Sequence, residues 1–245
     1  MRKFLIVAIA AITAVAFATV ALAQGGADTA TLTTKVTPKN AGTKKKPTNA
    51  KLDLTVVNNN TQRTMSALDI FLPKTMRISL KGMPTCSSAD IVARHCPASS
   101  ILGHGDAKAK VGVNGPPQNV TDLTFDVKAV KTASQKTGKP MLGFIIDDGG
   151  SLLFLTETKL SKASGKFGQK LHIDVPELAQ HVGATYNGLV SLHTVLSKKK
   201  GKNKLVATTG CNKKKHPFKV VLTFIDNGVT TAAKYGDTST SKCTK

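Results

Sequence analysis

The chain contains no tryptophan, two tyrosines and 4% aromatic residues among its 245. Without an aromatic platform, base stacking on single-stranded nucleic acid is not expected, nor is sugar binding by ring stacking. Arginine is nearly as scarce: beyond Arg2, only Arg63, Arg77 and Arg94 occur. Arginine supplies the planar fork that reads base edges, so sequence-specific nucleic-acid recognition is not expected. Acids are few, 14 Asp+Glu against 35 Lys+Arg, which leaves little material for paired-carboxylate chemistry. There is one long apolar run only, which excludes a multi-pass membrane protein. No long segment has a 3.6-residue apolar period, which argues against a helical bundle. No G-x-S-x-G elbow, H-E-x-x-H pair, P-loop or helix-opening G-x-G-x-x-G is present. Gly103-His104-Gly105 is too short to be a phosphate loop. The chain is therefore expected not to be an enzyme, and no catalytic residue or cofactor is assigned.

The apolar run is Phe4 to Leu22, behind the basic start Met1-Arg2-Lys3 and ahead of Ala21-Leu22-Ala23 and the polar Gln24. That pattern reads as a signal peptide over residues 1–23, cleaved after Ala23. A retained membrane anchor is the alternative, because the run is just long enough to span. No second apolar span follows, so the cleaved chain is expected not to span a membrane. The expected location is secreted, either extracellular or associated with the cell envelope. Cleavage removes two bases and no acid, lowering the net charge from +21 to +19.

The remaining cysteines are Cys86, Cys96, Cys211 and Cys243. An even number in an exported chain reads as disulfides. Of the three possible pairings, the sequence-local one is favoured: Cys86–Cys96 with Cys211–Cys243. Loop closure would then contribute about 2.8 and about 3.7 kcal/mol respectively. No C-x-x-C pair and no histidines at finger spacing occur, so no metal site is expected.

Period-2 alternation dominates from residue 28 onward. Leu52, Leu54 and Val56 alternate with Lys51, Asp53 and Thr55. Ala30 to Val36, Leu68 to Leu72, Leu123 to Val127, Leu171 to Val175 and Phe218 to Phe224 repeat the pattern. Met141 to Ile146 and Leu152 to Thr156 flank Asp147-Asp148-Gly149-Gly150 and read as a hairpin. Asp226-Asn227-Gly228 reads as another turn. Short helices are expected at Ser87 to His95, capped by Ser87 or Ser88, and at Pro176 to His181. The fold class is all-β: an antiparallel β-sandwich or jelly-roll-like barrel with one short helix between the first two cysteines. One domain is expected over 24–245, with 112–118 as a long loop or a boundary.

Pro84-Thr85-Cys86, then Cys96-Pro97-Ala98-Ser99-Ser100 and Gly103-His104-Gly105 followed by Ala107, resembles a family of secreted actinobacterial β-sandwich-like proteins of uncharacterised role. Its pattern is P-x-C, C-P-x-x-S and G-x-G-x-A, and Ala107 matches the last element. Ala41 to Pro47, Phe71 to Lys74, and the run from Cys211 through Asp226-Asn227-Gly228 to Cys243 are similar as well. The resemblance implies secretion, two local disulfides and a β-rich domain. It supplies no catalytic residue.

The six histidines are scattered, and each reads as solvent-facing or structural until a partner is in view. Asp147 and Asp148 read as turn residues; a calcium site needs ~6–8 oxygens, more than this turn supplies. Asn59-Asn60-Thr61 and Asn119-Val120-Thr121 match the glycosylation pattern and read as incidental. Charge is the main functional pointer. Lys44 to Lys46 form one cluster. Lys198, Lys199, Lys200, Lys202, Lys204, Lys213, Lys214 and Lys215 form another around Cys211. If 189–197 and 204–209 are hairpin partners, the first part of that cluster is their loop. Such a patch attracts polyanions, an anionic cell-wall polymer among them. The expected function is that of a non-catalytic secreted basic protein associating electrostatically with the anionic envelope or another polyanion. The plainest reading is that the lysines only maintain solubility and guard sheet edges. An extracellular protein–protein interaction or surface-structural module is the alternative function; its protein partner is unspecified. A hydrolase with a site built from distant residues ranks last.

Overall fold

A computed structural model describes residues 26–115 and 117–244. The expected signal peptide lies outside the described residues. The strands are β1 (Ala30–Thr37), β2 (Thr48–Asn49), β3 (Lys51–Asn58), β4 (Met65–Pro73), β5 (Met76–Ile78), β6 (Ile101–Val111), β7 (Thr121–Ala133), β8 (Pro140–Asp147) and β9 (Leu153–Lys162). They continue as β10 (Phe167–Asp174), β11 (His181–Val182), β12 (Thr185–Leu196), β13 (Lys199–Lys200), β14 (Asn203–Lys204), β15 (Val206–Thr208), β16 (Lys215–Phe224) and β17 (Ala233–Lys242). Helix α1 (Ser88–Val92) lies between the first two cysteines, and α2 (Glu177–Gln180) follows β10. Both disulfides have the expected pairing, Cys86–Cys96 and Cys211–Cys243.

The all-β class and the helix between the cysteines are as the sequence implies. One continuous antiparallel sheet runs β1-β3-β12-β6-β7-β8-β9-β10-β4-β16-β17, with β11 paired to β12 alone. The sheet curls until it nearly closes as a barrel. The segment 112–120 joins β6 to β7, which are hydrogen-bonded neighbours. The alternating apolar residues face the lumen: Leu52, Leu54 and Val56 on β3, Leu68, Ile70 and Leu72 on β4, and Phe218, Val220 and Leu222 on β16 are all buried. Polar residues face outward, the reverse of a lipid-facing barrel. β8 departs from alternation because it is buried on both faces. Its outer residue Ile145 packs with Val130, Ile91 and Cys86. The disulfide-stapled segment around α1 thus covers the outer wall there. Ser87 caps α1 in a capping box with Asp90, which satisfies backbone donors at both positions.

The path β1 to β17 holds an odd number of strands, so its two edges meet running in the same direction. Side chains replace the missing backbone ladder. The Leu32 N–H donates to Asp237 Oδ2 (2.8 Å), the Thr34 hydroxyl to Ser239 Oγ (3.1 Å) and the Val36 N–H to Ser241 Oγ (2.9 Å). At one end of this seam the Tyr235 hydroxyl donates to Asn58 Oδ1 at 2.6 Å. Burial, with the nearby Asp28 charge, pushes the Tyr235 phenol up to about 12, so it keeps its proton and its donor role.

The two ends of the barrel differ. One is plugged by a small sheet, β2-β15-β5. Ala50, Met76, Ile78, Leu205 and Val206 of this plug are buried in the same core as the lumen. At the other end α2 and β11 arch beside the mouth.

Replacing Ser241 with Ala strips the buried Val36 N–H of its acceptor. Unfolding by urea is expected to show a loss of about 1–3 kcal/mol, and an unchanged midpoint would mean the seam does not hold the barrel shut. His216 is buried at the plugged end, with Nδ1 3.1 Å from Thr75 Oγ1, and burial lowers its pKa from 6.5. The unfolded chain takes up this proton first, so stability falls as pH drops from 7 to 5. In His216→Gln that fall is expected to be shallower; equal slopes in denaturant titrations would exclude His216 as a source.

Candidate functional site

Antiparallel pairing sorts the loops between the two ends. At the plugged end lie 38–50, 134–139, 163–166 and 197–214, which contain Lys39, Lys44, Lys45, Lys46, Lys136, Lys139 and Lys166 together with most of the predicted cluster, and no acid. The segment 74–100 adds Lys74, Arg77 and Lys81; its Arg94 reaches instead to Asp147 and Gly150 O at the β8–β9 hairpin, and its one acid, Asp90, is held in the α1 capping box. At the open end the connections carry Asp148, Glu177 and Asp226. Their single Lys or Arg is Arg63, which is paired with Asp28. That pairing holds the Asp28 carboxyl below its usual range and raises Arg63. The barrel is therefore basic at one end and weakly acidic at the other.

The predicted lysines all lie at the basic end, but their pairing differs from the expected one. Segment 189–197 does not pair with 204–209. It belongs to β12 in the barrel wall, while β15 pairs with β2 and β5 in the plug. The reason is that Leu205, Val206 and Ala207 are buried in succession, a run better satisfied inside the plug than as an outer partner of β12. The lysines make their own hairpin instead: β13 pairs with β14, Lys199 opposite Lys204 and Lys200 opposite Asn203. Lys199, Lys200 and Lys202 are exposed, Lys198 and Lys204 half-buried. Like charges directly opposed across a strand pair are destabilising. None of these lysines has an acidic partner within 4.0 Å among the described residues.

Lys213, Lys214 and Lys215 are exposed beside the Cys211–Cys243 bridge. The Lys215 N–H donates to Asn212 O at 2.9 Å, and the Cys243 N–H donates to Lys214 O at 2.9 Å. Lys213 and Lys214 have φ of 48° and 61°. Positive φ at both central residues is the signature of a type I′ turn, where Asn-Gly is the favoured pair. Two lysines in that position carry a backbone penalty that glycine would avoid.

From the basic end a shallow cleft of about 590 Å³ runs up the outer wall, lined by Lys51, Lys198, His104, Asp106, His193 and Ser197 among others. His193 is held by two carboxylates, Nδ1 3.1 Å from Asp106 Oδ1 and Nε2 3.1 Å from Asp53 Oδ1. His172 has a similar arrangement elsewhere on the wall, 2.6 Å from Asp69 and 3.1 Å from Asp174. The spacing of these residues in the chain gave no sign of the His193 cluster, which joins β3, β12 and β6, nor of Asp69, which lies on β4; only His172 and Asp174, two apart on one face of β10, are neighbours in sequence. Cross-strand register is the signal that would have found Asp106, which sits directly opposite His193. Asp147 and Asp148 act as turn residues: their side chains accept from the backbone N–H groups of Gly149, Gly150 and Leu152. Among the described residues no cluster of three or more His, Cys, Asp or Glu is arranged to hold a metal ion. None of the described helices is long and apolar enough to cross a membrane.

The chain matches no protein-family model, and no curated protein matches it.

The double variant K213N/K214G places Asn-Gly in the type I′ turn. Its stability in urea is expected to rise by about 1–2 kcal/mol. No gain would show that the lysine pair sits there without strain.

Proposed function

We propose that this is a non-catalytic exported protein whose plugged end binds an anionic polymer of the cell envelope. One observation carries the reading: the Lys198–Lys204 hairpin, the Lys213–Lys215 turn and the Lys44–Lys46 loop all fall at one end of the barrel, whose connections hold a single acid. The opposed Lys199 and Lys204 add to it, since a bound anion relieves their repulsion. Two disulfides are consistent with an oxidising, extracellular setting. Lysine is a hydrated point charge, suited to a flexible polyanion and unsuited to base readout. Both nitrogens of His193 are engaged by carboxylates in the cleft, which favours a wall of fixed charges over a general base. Against a surface-structural module assembled edge to edge, both edges of the sheet already bind each other at the seam.

The test is binding to isolated envelope, and to purified anionic wall polymer, across a salt series. Affinity is expected to fall steeply with salt. In the variant with Lys198, Lys199, Lys200, Lys213, Lys214 and Lys215 all changed to Gln, the slope of log affinity against log salt should flatten. The change expected is roughly 0.7–0.9 for each removed lysine that had neutralised an anionic group of the polymer. Binding indifferent to salt and to the six changes would leave the lysines as solubilising charge alone.

A further inference from the structure

At the end of the barrel opposite the lysines, the lumen is not filled. A cavity of about 220 Å³ lies between Leu68, Phe125, Phe144, Phe154, Leu189 and Leu192. Protein interiors hold few voids larger than a water molecule. An engineered apolar cavity of about 150 Å³ stays dry and takes up benzene. This cavity is larger and as apolar. No Lys, Arg, His, Asp or Glu lines it, and its polar side chains are Thr156 and Asn187. Thr156 is satisfied by Phe144 O at 3.4 Å. Asn187 is not: its Nδ2 donates to Ala179 O of α2 at 3.2 Å, while its Oδ1 is buried and has no partner among the described residues.

The apolar lining does not stop at the mouth. Leu178 on α2 and Val182 on β11 belong to it, yet are 68% and 58% exposed. The surface they make rims the opening of the lumen beside α2 and β11. Tyr186 packs on the His181 ring, centroids 5.3 Å apart, and Gln180 Nε2 donates to Val175 O at 2.8 Å, which holds this arch in place.

We propose that the lumen binds a single aliphatic chain whose head is an uncharged hydrogen-bond donor, as in a long-chain alcohol. Volume sets the chain: a methylene is close in size to a water's share of about 30 Å³, so roughly seven or eight groups fit inside. Asn187, a lining residue at the mouth end of β12, sets the head: its Oδ1 is enclosed and lacks a donor, and a small rotation of the side chain would present that oxygen to a ligand hydroxyl. Charge sets the rest. The cavity offers no cation to a carboxylate, and the connections around the mouth carry Asp148, Glu177 and Asp226, which repel one. This site is independent of the lysine end.

The experiment titrates the purified, disulfide-intact protein with 1-hexanol through 1-dodecanol, and with octanoate, by calorimetry. Affinity is expected to rise about fourfold per methylene and then level off as the chain outgrows the lumen. Octanoate should bind at least about tenfold more weakly than 1-octanol, the effect of one unpaired buried hydrogen-bonding group. Asn187→Leu should shrink that preference. Ala109→Trp and, separately, Leu189→Trp fill the cavity and should abolish alcohol binding while leaving salt-dependent envelope binding intact. Failure of any alcohol to bind saturably, affinity independent of chain length, or binding retained in both filled variants would overturn the site. Octanoate binding as tightly as octanol, or an Asn187→Leu variant with unchanged preference, would overturn the neutral head group.

Discussion

Eleven antiparallel strands curled into a cylinder bring the first and last together in parallel, and that meeting is what the rest of the molecule depends on. A backbone ladder at this seam would need the slanted register of parallel strands. The chain uses short side chains on β17 instead, with Asp237, Ser239 and Ser241 reaching across to β1. These are polar residues on the inward-facing side of their strand, where the other barrel strands place mostly apolar residues. The exchange of apolar for polar residues on one strand turns an open sheet, with two edges free to recruit other chains, into a closed wall. Without that closure neither an enclosed lumen nor two distinct ends would exist.

Closure makes the ends inequivalent because connections differ in length. The long excursions at 38–50, 74–100 and 197–214 all leave from the same end; they supply the plug and its lysine-bearing loops, and the α1 part of 74–100 folds back over the outer wall. Connections at the opposite end are shorter and close less of the opening; α2 and β11 are the largest structure there. Apolar burial is thus complete beneath the plug, where Leu205 and Val206 are fully enclosed, and incomplete at the mouth, where Leu178 and Val182 remain in solvent. Charge follows the same division because the plug's outer loops have no second layer to pack against and are free to be cationic.

Much of the fold was legible in the sequence. Leu52, Leu54 and Val56 announce a strand with one buried face, and Ser87 or Ser88 as a cap announces a helix start. Met141 to Ile146 and Leu152 to Thr156 pair as the hairpin their flanking of Asp147 to Gly150 implies; burial of β8 on both faces is not part of that reading. The cysteines paired as their spacing favoured. What could not be read is whatever depends on which strands become neighbours. Period 2 shows that Phe125 faces inward, but not that the lumen it lines with Phe144 and Phe154 is left partly unfilled. It does not bring Asp53 and Asp106 to either side of His193. The three residues of β15 carried no sign of which strands they would join, because an apolar run shows that a strand is buried on both faces but does not name β2 and β5 as its partners. The lysine cluster was visible as composition, while its hairpin pairing and left-handed turn were not.

A closed wall with cations massed at one end and acids sparse at the other is an electric dipole along the cylinder axis. In the field of any anionic surface the molecule experiences a torque before it touches that surface, and it turns its plugged end downward. Copies arriving independently would stand the same way up, side by side, as a layer whose far face is made of barrel mouths. Orientation in such a layer needs no specific docking at all; it is already encoded in which loops hold lysine.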